Sequence, residues 1–550
     1  TPSLLNEFRS GFARTVPFTF QSDFGINAAE SLGIRGINVS EFTTGLPNIN
    51  IQNFTGISGG PAFLPVNPKQ THWQVDDNMS WTVGSHQLKF GYHYIRRYPS
   101  PFTNTDTRST MTFNSNLTNS NNAGGAGFAS LLLGYLTESA ARGFLQEPYN
   151  LIQSDHAAFF QDDFKVNRRL TLNLGLRWEV FRPEVEEQNR LTNFDPATLR
   201  LVYAGEDGVN RSAGKKTDWN NFGPRVGLAF DLFGNGKTVL RSGVALAYFP
   251  VGASASNILG QQVPYTISQN VPSVTVNNPA QLATLRSIDN PFPAIAQVKP
   301  RTTAELIAAN PRVLGHSFEN ETPSMLTWNF NIQQQVAATV LAEIAYAGSQ
   351  GKHLPIGLDF NPVLPGPGSV PQIDRRLYRA LGNVNPLQID PRNSSTYHGL
   401  MAKLDKRFSA GLQGMISYTW SKSLDYGGSV ASGGGASGGP QHPTLFGAAR
   451  GPSGFDVPHR LVSNFVYELP GRNMRGALGA VLGGWQTNGI ITLSSGRPFT
   501  VNMQNAVTNG AGGWPDRIAS GKLENPDRQR WYDPTAFRAP DSPRFGNSGR

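Results

Sequence analysis

The sequence predicts an all-β fold: a transmembrane antiparallel up-and-down β-barrel, with about 13–16 of its strands present in this chain. Three observations predict it. Apolar and polar residues alternate with period two over segments of ten residues or more. The connections between those segments are alternately short and long. No run of about 18 apolar residues offers a transmembrane helix; the longest candidates, 128–136 and 477–485, are too short.

Successive side chains of a strand point to opposite faces, so strict alternation places one face in an apolar medium and wets the other. Leu4–Arg14 is the first such segment. Leu88, Phe90, Tyr92 and Tyr94 then alternate with Lys89, Gly91 and His93. The clearest case is 170–180, where Leu170, Leu172, Leu174, Leu176, Trp178 and Val180 alternate with Thr171, Asn173, Gly175, Arg177 and Glu179. Leu326, Trp328, Phe330 and Ile332 repeat the pattern, as do Ile416, Tyr418 and Trp420. Trp485, Ile491 and Leu493 oppose Gln486, Asn488, Thr492 and Ser494. Counted this way, about twelve strands lie between Trp73 and Ser495. Strands of soluble sandwiches average about five or six residues, and a propeller would repeat every 40–50 or so; neither pattern fits.

The short turns fall at 84–86, 167–169, 234–237, 337–338 and 409–411, and the long loops at 99–150, 183–220, 250–322 and 349–396. In a meander every second connection lies on one side, so all the short turns share a side. Outer-membrane barrels have this asymmetry, with short periplasmic turns and long extracellular loops. Aromatic residues at strand ends (Trp178 with Phe181, Tyr248 with Phe249, Tyr418 with Trp420) suit interfacial girdles.

The faces follow from cost. Leu172, Leu174, Leu176 and Trp178 are expected to face lipid. Arg177, Glu179, Arg225, Arg241, Lys403, Asp405 and Arg407 are expected to face the lumen, because Arg or Lys at the bilayer midplane costs about 2–4 kcal/mol. His93 and His156 are assigned to water or the lumen. The loop 250–322 is too long for a mere connector. It is expected to fold over the barrel mouth, with a helical piece at 303–310, and loops are where recognition tends to sit.

Other chemistries find little support. The formal charge is +9, yet no basic run exceeds two residues, so no nucleic-acid partner is predicted. With no cysteine there is no disulfide, thiolate site or Cys nucleophile. The nine histidines show no zinc-site spacing, and no cofactor is expected. Gly435-Ala436-Ser437-Gly438-Gly439 fits G-x-S-x-G but sits in a Gly/Ser tract without the strand and helix a hydrolase elbow needs. Gly236-Lys237-Thr238 lacks the first glycine of a phosphate loop, where Asp231 stands, and reads as a hairpin turn. Asp76-Asp77 and Asp162-Asp163 suggest calcium, but solvation at strand ends is the preferred account. No enzyme is predicted.

Several stretches resemble the barrel region of TonB-dependent outer-membrane receptors, of the large Oar-like and SusC-like kind abundant in acidobacteria. The strongest is His156-Ala-Ala-Phe-Phe-Gln-Asp-Asp-Phe-Lys165 running into Arg169-Leu-Thr-Leu-Asn-Leu-Gly-Leu-Arg-Trp-Glu179. Similar stretches are 86–91, 218–230 with 236–243, 418–425, and 483–486 with 495–499. The resemblance implies a barrel of about 22 strands around a plug, energised by the TonB complex of the inner membrane through an N-terminal region. No plug is recognisable before Leu4, and residues 537–550 look like a lead-in to the last strands. Residues 1–550 are therefore expected to be one barrel domain, present as a fragment that lacks the plug, the N-terminal domain and the last strands. The implied function is energy-coupled import of a bulky nutrient: an oligosaccharide, a peptide or a metal chelate. Expected partners are outer-membrane lipid and lipopolysaccharide, the TonB complex and a surface lipoprotein. Two alternatives stay open: a barrel acting in adhesion or structure without import, and a soluble secreted β-rich protein.

Overall fold

Thirteen long strands follow one another in a single antiparallel meander, in which nearly every strand pairs with its sequence neighbours. They are β1 (Leu4–Thr15), β2 (Lys69–Val83), β3 (His86–Ser100), β4 (Leu151–Lys165), β5 (Leu170–Phe181), β6 (Asn221–Asp231) and β7 (Thr238–Tyr248). After these come β8 (Ser324–Ala337), β9 (Val340–Asp359), β10 (Leu387–Ser409), β11 (Leu412–Asp425), β12 (His459–Glu468) and β13 (Gln486–Ser494). This computed structural model describes residues 3–549 except 101–105, 121–122, 137–139, 146–149, 251–256, 272–281, 293, 295–297, 428–439, 472–475 and 504–512. The Gly435–Gly439 tract lies outside the described residues. The fold is the predicted up-and-down antiparallel sheet. It is not closed, since β1 and β13 remain its edges.

Hydrogen-bonded register fixes the two faces. Across β4, β5 and β6, Phe160, Leu176 and Pro224 stand in line, as do Phe164, Leu172 and Leu228. Side chains directly opposite share a face about 4.5–5.5 Å apart, so the apolar stripe is continuous across the sheet. Ten steps from Leu170 to Val180 at about 3.4 Å each give about 34 Å of strand. At a tilt of about 40° this covers about 26 Å, the height of the apolar band of an outer-membrane barrel.

The turns on one side are the residues 84–85, 166–169, 232–237, 338–339 and 410–411. In the turn from β6 to β7, the Asp231 carboxylate accepts the N–H groups of Gly234 and Gly236 at 3.0 and 2.8 Å. Both glycines have positive φ, 75° and 70°, which a side chain would oppose. The connection from β12 to β13 is the exception on this side: it spans 469–485 and carries a helix, Gly476–Leu482, capped where Trp485 Nε1 donates to the Val481 carbonyl at 2.6 Å.

The other side carries the connections 16–68, 101–150, 182–220, 249–323, 360–386 and 426–458. The expected loop 349–396 is shorter than its sequence suggests, because β9 and β10 run on past the band as a paired extension to Asp359 and Leu387. Their register slips between Gly351 and Leu354 and again before Ile356, where His353 has φ 53° and Pro355 interrupts the alternation. Bulges of this kind hide a strand from a period-two reading.

The hydrophobic core lies in the loops. Ile34, Ile49, Met111, Phe113, Leu136 and Phe292 form one cluster drawn from three connections. Phe194, Tyr203, Leu306, Val313, Leu381 and Val384 form another. The helix expected at 303–310 is Thr303–Ala309, held by a capping box between Thr302 and Glu305, and its Leu306 is fully buried. By contrast Ile344, Trp420, Leu404 and Ile491 on the sheet are 58, 56, 45 and 48% exposed. No helix among the described residues is long and apolar enough to cross a membrane.

Candidate functional site: a two-faced sheet under a folded loop layer

The residues expected in a lumen share the face opposite the leucine stripe. Arg225 stands across from Gly175 and Ala245, and Arg241 across from Ala229 and Asn331. Lys403 and Asp405 stand across from Glu343 and Leu341. Five of these seven charges have polar company: Arg177 Nε donates to Glu179 Oε1 at 2.8 Å, Arg241 to Gln333 Oε1 at 3.0 Å, and Lys403 Nζ lies 3.7 Å from Asp405. Arg407 sits at the short-turn end, where its N–H donates to the Thr339 carbonyl at 2.9 Å. Asn173 donates to Asp163 at 2.6 Å, and Asn331 to Glu343. Leu172, Leu174, Leu176 and Trp178 lie together on the opposite face, and Trp178 Nε1 donates to the Trp219 carbonyl at 2.9 Å.

The aspartate pairs do not converge. Adjacent residues of a strand point to opposite faces, so Asp76 meets His93 at 2.5 Å while Asp77 accepts from Asn6 at 2.7 Å on the other side. Likewise Asp163 faces Asn173 while Asp162 meets His86 Nδ1 at 2.7 Å. Asp77 and Asp162 thus lie on the apolar face, each held by a neighbouring strand. His93 is on the polar face, as expected. His156 is a correction: it stands across from Tyr94 and Val180 on the apolar face, with Nδ1 2.6 Å from Tyr92 Oη. The alternation of β4 is blurred there by alanine, so the sequence left the side of His156 open to misreading.

Two features of the loop layer were invisible in the sequence. The first is a buried polar knot. Lys215 Nζ and Glu184 Oε1 are 2.5 Å apart with side chains only 1% and 5% exposed. Nearby, His316 is buried with neither ring nitrogen bonded among the described residues. Burial, and then the positive charge of Lys215, push its pKa down to about 3. The second is a cavity of about 490 Å³ bordered by Phe360, Tyr378, Asp195, Asp390, Arg392 and Gln388. Phe360 and Tyr378 stack at 4.5 Å with an 8° angle between rings, and Arg392 is 2.5 Å from Asp390. An apolar aromatic wall with a few polar groups is the make-up of a ligand pocket. Its residues come from four connections and from the paired extension of β9 and β10, and packing brings them together.

A family described as "Outer membrane beta barrel domain" matches residues 1–550. No curated protein matches the chain. Among solved structures it is similar to the outer membrane transporter YddB from Escherichia coli, at 11% identity over 92% of this chain and 51% of that one, with a TM-score of 0.49. It is also similar to the pyoverdine outer membrane receptor FpvA from Pseudomonas aeruginosa PAO1, at 11% identity over 78% of this chain and 42% of that one, with a TM-score of 0.38. A third is the FrpB iron transporter from Neisseria meningitidis, at 13% identity over 74% and 43%, with a TM-score of 0.35. The chain spans about half, or less, of the length of these structures. With an apolar band of bilayer height, short turns opposite long loops, and a family match along its whole length, the chain belongs to the outer-membrane β-barrel family and resides in the outer membrane.

Proposed function

We propose that this chain forms part of the barrel of a TonB-dependent receptor of the Oar-like and SusC-like kind, importing a bulky ligand across the outer membrane. In this reading the leucine face meets lipid. Arg177, Glu179, Arg225, Arg241, Lys403, Asp405 and Arg407 line the lumen, and the loop layer receives the ligand from outside. The observation that carries it is the polar face. Thirteen strands present charged and amide side chains on one side, whereas a barrel of about eight strands is already filled by its own side chains. A wall this wide and this polar encloses water or a polar plug. The sequence stretches at 156–165 and 169–179 support the TonB-dependent kind. An oligosaccharide, a peptide or a metal chelate would fit the aromatic and carboxylate cavity of the loops.

The test is uptake. Deleting the gene in its host should abolish energised accumulation of one such ligand, and disabling the TonB complex should do the same. A plug and a TonB-binding segment should be encoded upstream of Thr1. Ligand binding at the cell surface that persists without any TonB-dependent accumulation would sink the import reading in favour of adhesion.

A further inference from the structure

On the apolar face, at the loop-side end of the strands, one arrangement recurs three times. Tyr92 Oη lies 2.6 Å from His156 Nδ1, Tyr346 Oη 2.7 Å from His398 Nδ1, and Tyr418 Oη 2.8 Å from His459 Nδ1. In each case the histidine is on the next strand, one outward-facing position nearer the loops than the residue opposite the tyrosine. Beyond the pairs the same face turns cationic. Lys422 stands directly across from His398, with its Nζ 3.2 Å from Asp456. Above the first pair stand two arginines. Arg96 is directly across from Ser154, and the backbone N–H of Arg182 donates to the Ser154 carbonyl at 3.1 Å. Arg96 and Arg182 are both exposed, and neither has a carboxylate partner among the described residues.

We propose that Arg96 and Arg182, with Ser154 between them, hold the phosphate of a phosphate-bearing lipid headgroup in the leaflet on the loop side. The proposal rests on the reading that the apolar face meets lipid. Three properties of the patch point to this occupant. Guanidinium groups bind phosphate through paired, charge-assisted hydrogen bonds. Arg96 rises from β3 on one side of Ser154 and Arg182 from the residue just past β5 on the other, a span their long side chains can close over one anion. Directly below them come Tyr94 and His156, with rings 5.0 Å apart, and then Tyr92, Phe160 and Leu176, which are 43, 50 and 47% exposed. A ligand that is anionic at one end and a hydrocarbon chain at the other matches this order. A free phosphate ion would use only the top of it.

The experiment is native mass spectrometry of the full-length protein extracted from its own outer membrane in mild detergent. It is titrated with lipid A bearing its phosphates, with dephosphorylated lipid A, and with inorganic phosphate as competitor. The double variant Arg96→Gln/Arg182→Gln should bind phosphorylated lipid A about tenfold more weakly than the wild type. Lys422→Gln, whose cation already has Asp456, should change it far less. Dephosphorylated lipid A should bind the wild type as weakly as phosphorylated lipid A binds the double variant. Equal binding by wild type and double variant would overturn the proposal, as would equal binding of the two lipids. Full competition by inorganic phosphate would overturn the lipid as occupant. If the wild type is not recovered from membranes as a heat-modifiable band, the membrane reading itself fails. If it is recovered and lipid binding does not discriminate, only the arginine site fails.

Discussion

Ile344 stands directly across from Ile332 on one side and from Ala402 on the other, deep in the apolar face. Its neighbour Ala345 stands across from Asn331 and Met401 on the polar face. Adjacent positions thus test the assignment of faces. Ile344→Arg should cost about 2–4 kcal/mol if that face meets lipid near the midplane, and should be read as loss of the heat-modifiable band in the outer membrane. Ala345→Arg should assemble almost normally. Leu174 is a poorer probe, because it stands across from Asp162, which would partner an introduced arginine. Equal assembly of the Ile344 and Ala345 variants would contradict the faces.

Gly348 makes room for Trp328. A Cβ at this glycine would run into the indole ring, and the two residues are directly paired across β8 and β9. Gly348→Val should displace the indole and destabilise the sheet by about 1–3 kcal/mol, the usual cost of overpacking. Trp328→Leu in the same chain should recover most of it, measured as the midpoint of the heat-modifiable transition. Additive losses in the double variant would show that the two residues do not share this space.

The Glu184–Lys215 pair in the loop layer is almost wholly removed from water. Removing one partner strands a buried charge, at a cost of about 3–5 kcal/mol. Glu184→Leu alone should therefore open the connection 182–220 to protease on intact cells. Adding Lys215→Met should close it again, since an apolar pair of similar volume is tolerated in place of a buried ion pair. Similar cleavage of the single and double variants would place the pair's role elsewhere.

His316 makes the loop layer sensitive to acid. Its folded pKa is about 3, against 6.5 for the free side chain. Below about 6.5 the unfolded segment binds more protons than the folded one. The histidine's contribution is therefore full above that pH and falls as pH drops toward 3, by up to about 1.4 kcal/mol per unit. Protease resistance of the connection 249–323 should decline between pH 6.5 and 4 in the wild type. In His316→Phe the decline should be visibly shallower; an unchanged pH profile would rule out this histidine as its source.

The division of labour between sequence and structure follows from range. Period two is a local property of the chain, so Leu172, Leu174, Leu176 and Trp178 declared a common face, and Arg177 and Glu179 the other, without any knowledge of neighbours. The same holds for the turn at Gly234–Lys237, set by Asp231 and two glycines, and for the helix at Thr303–Ala309, set by Thr302 and Glu305. Where alternation falters, the sequence misled. The paired extensions of β9 and β10 look like loop in the sequence because bulges at Gly351–Ile356 break the period, and the alanines of β4 hide that His156 belongs to the apolar face.

What the sequence determined by itself, then, is a sheet with one apolar and one polar face and with unlike sides, because those features need only neighbouring residues and a solvent. Tertiary structure alone decided that Glu184 meets Lys215 and that the His316 ring nitrogens meet no partner among the described residues. It also decided that Phe360 and Tyr378 wall a cavity and that Arg96 and Arg182 flank Ser154. These groups lie on different strands or well apart within one connection. Their distances are set by register and by the packing of the loop core, and no local pattern encodes either one.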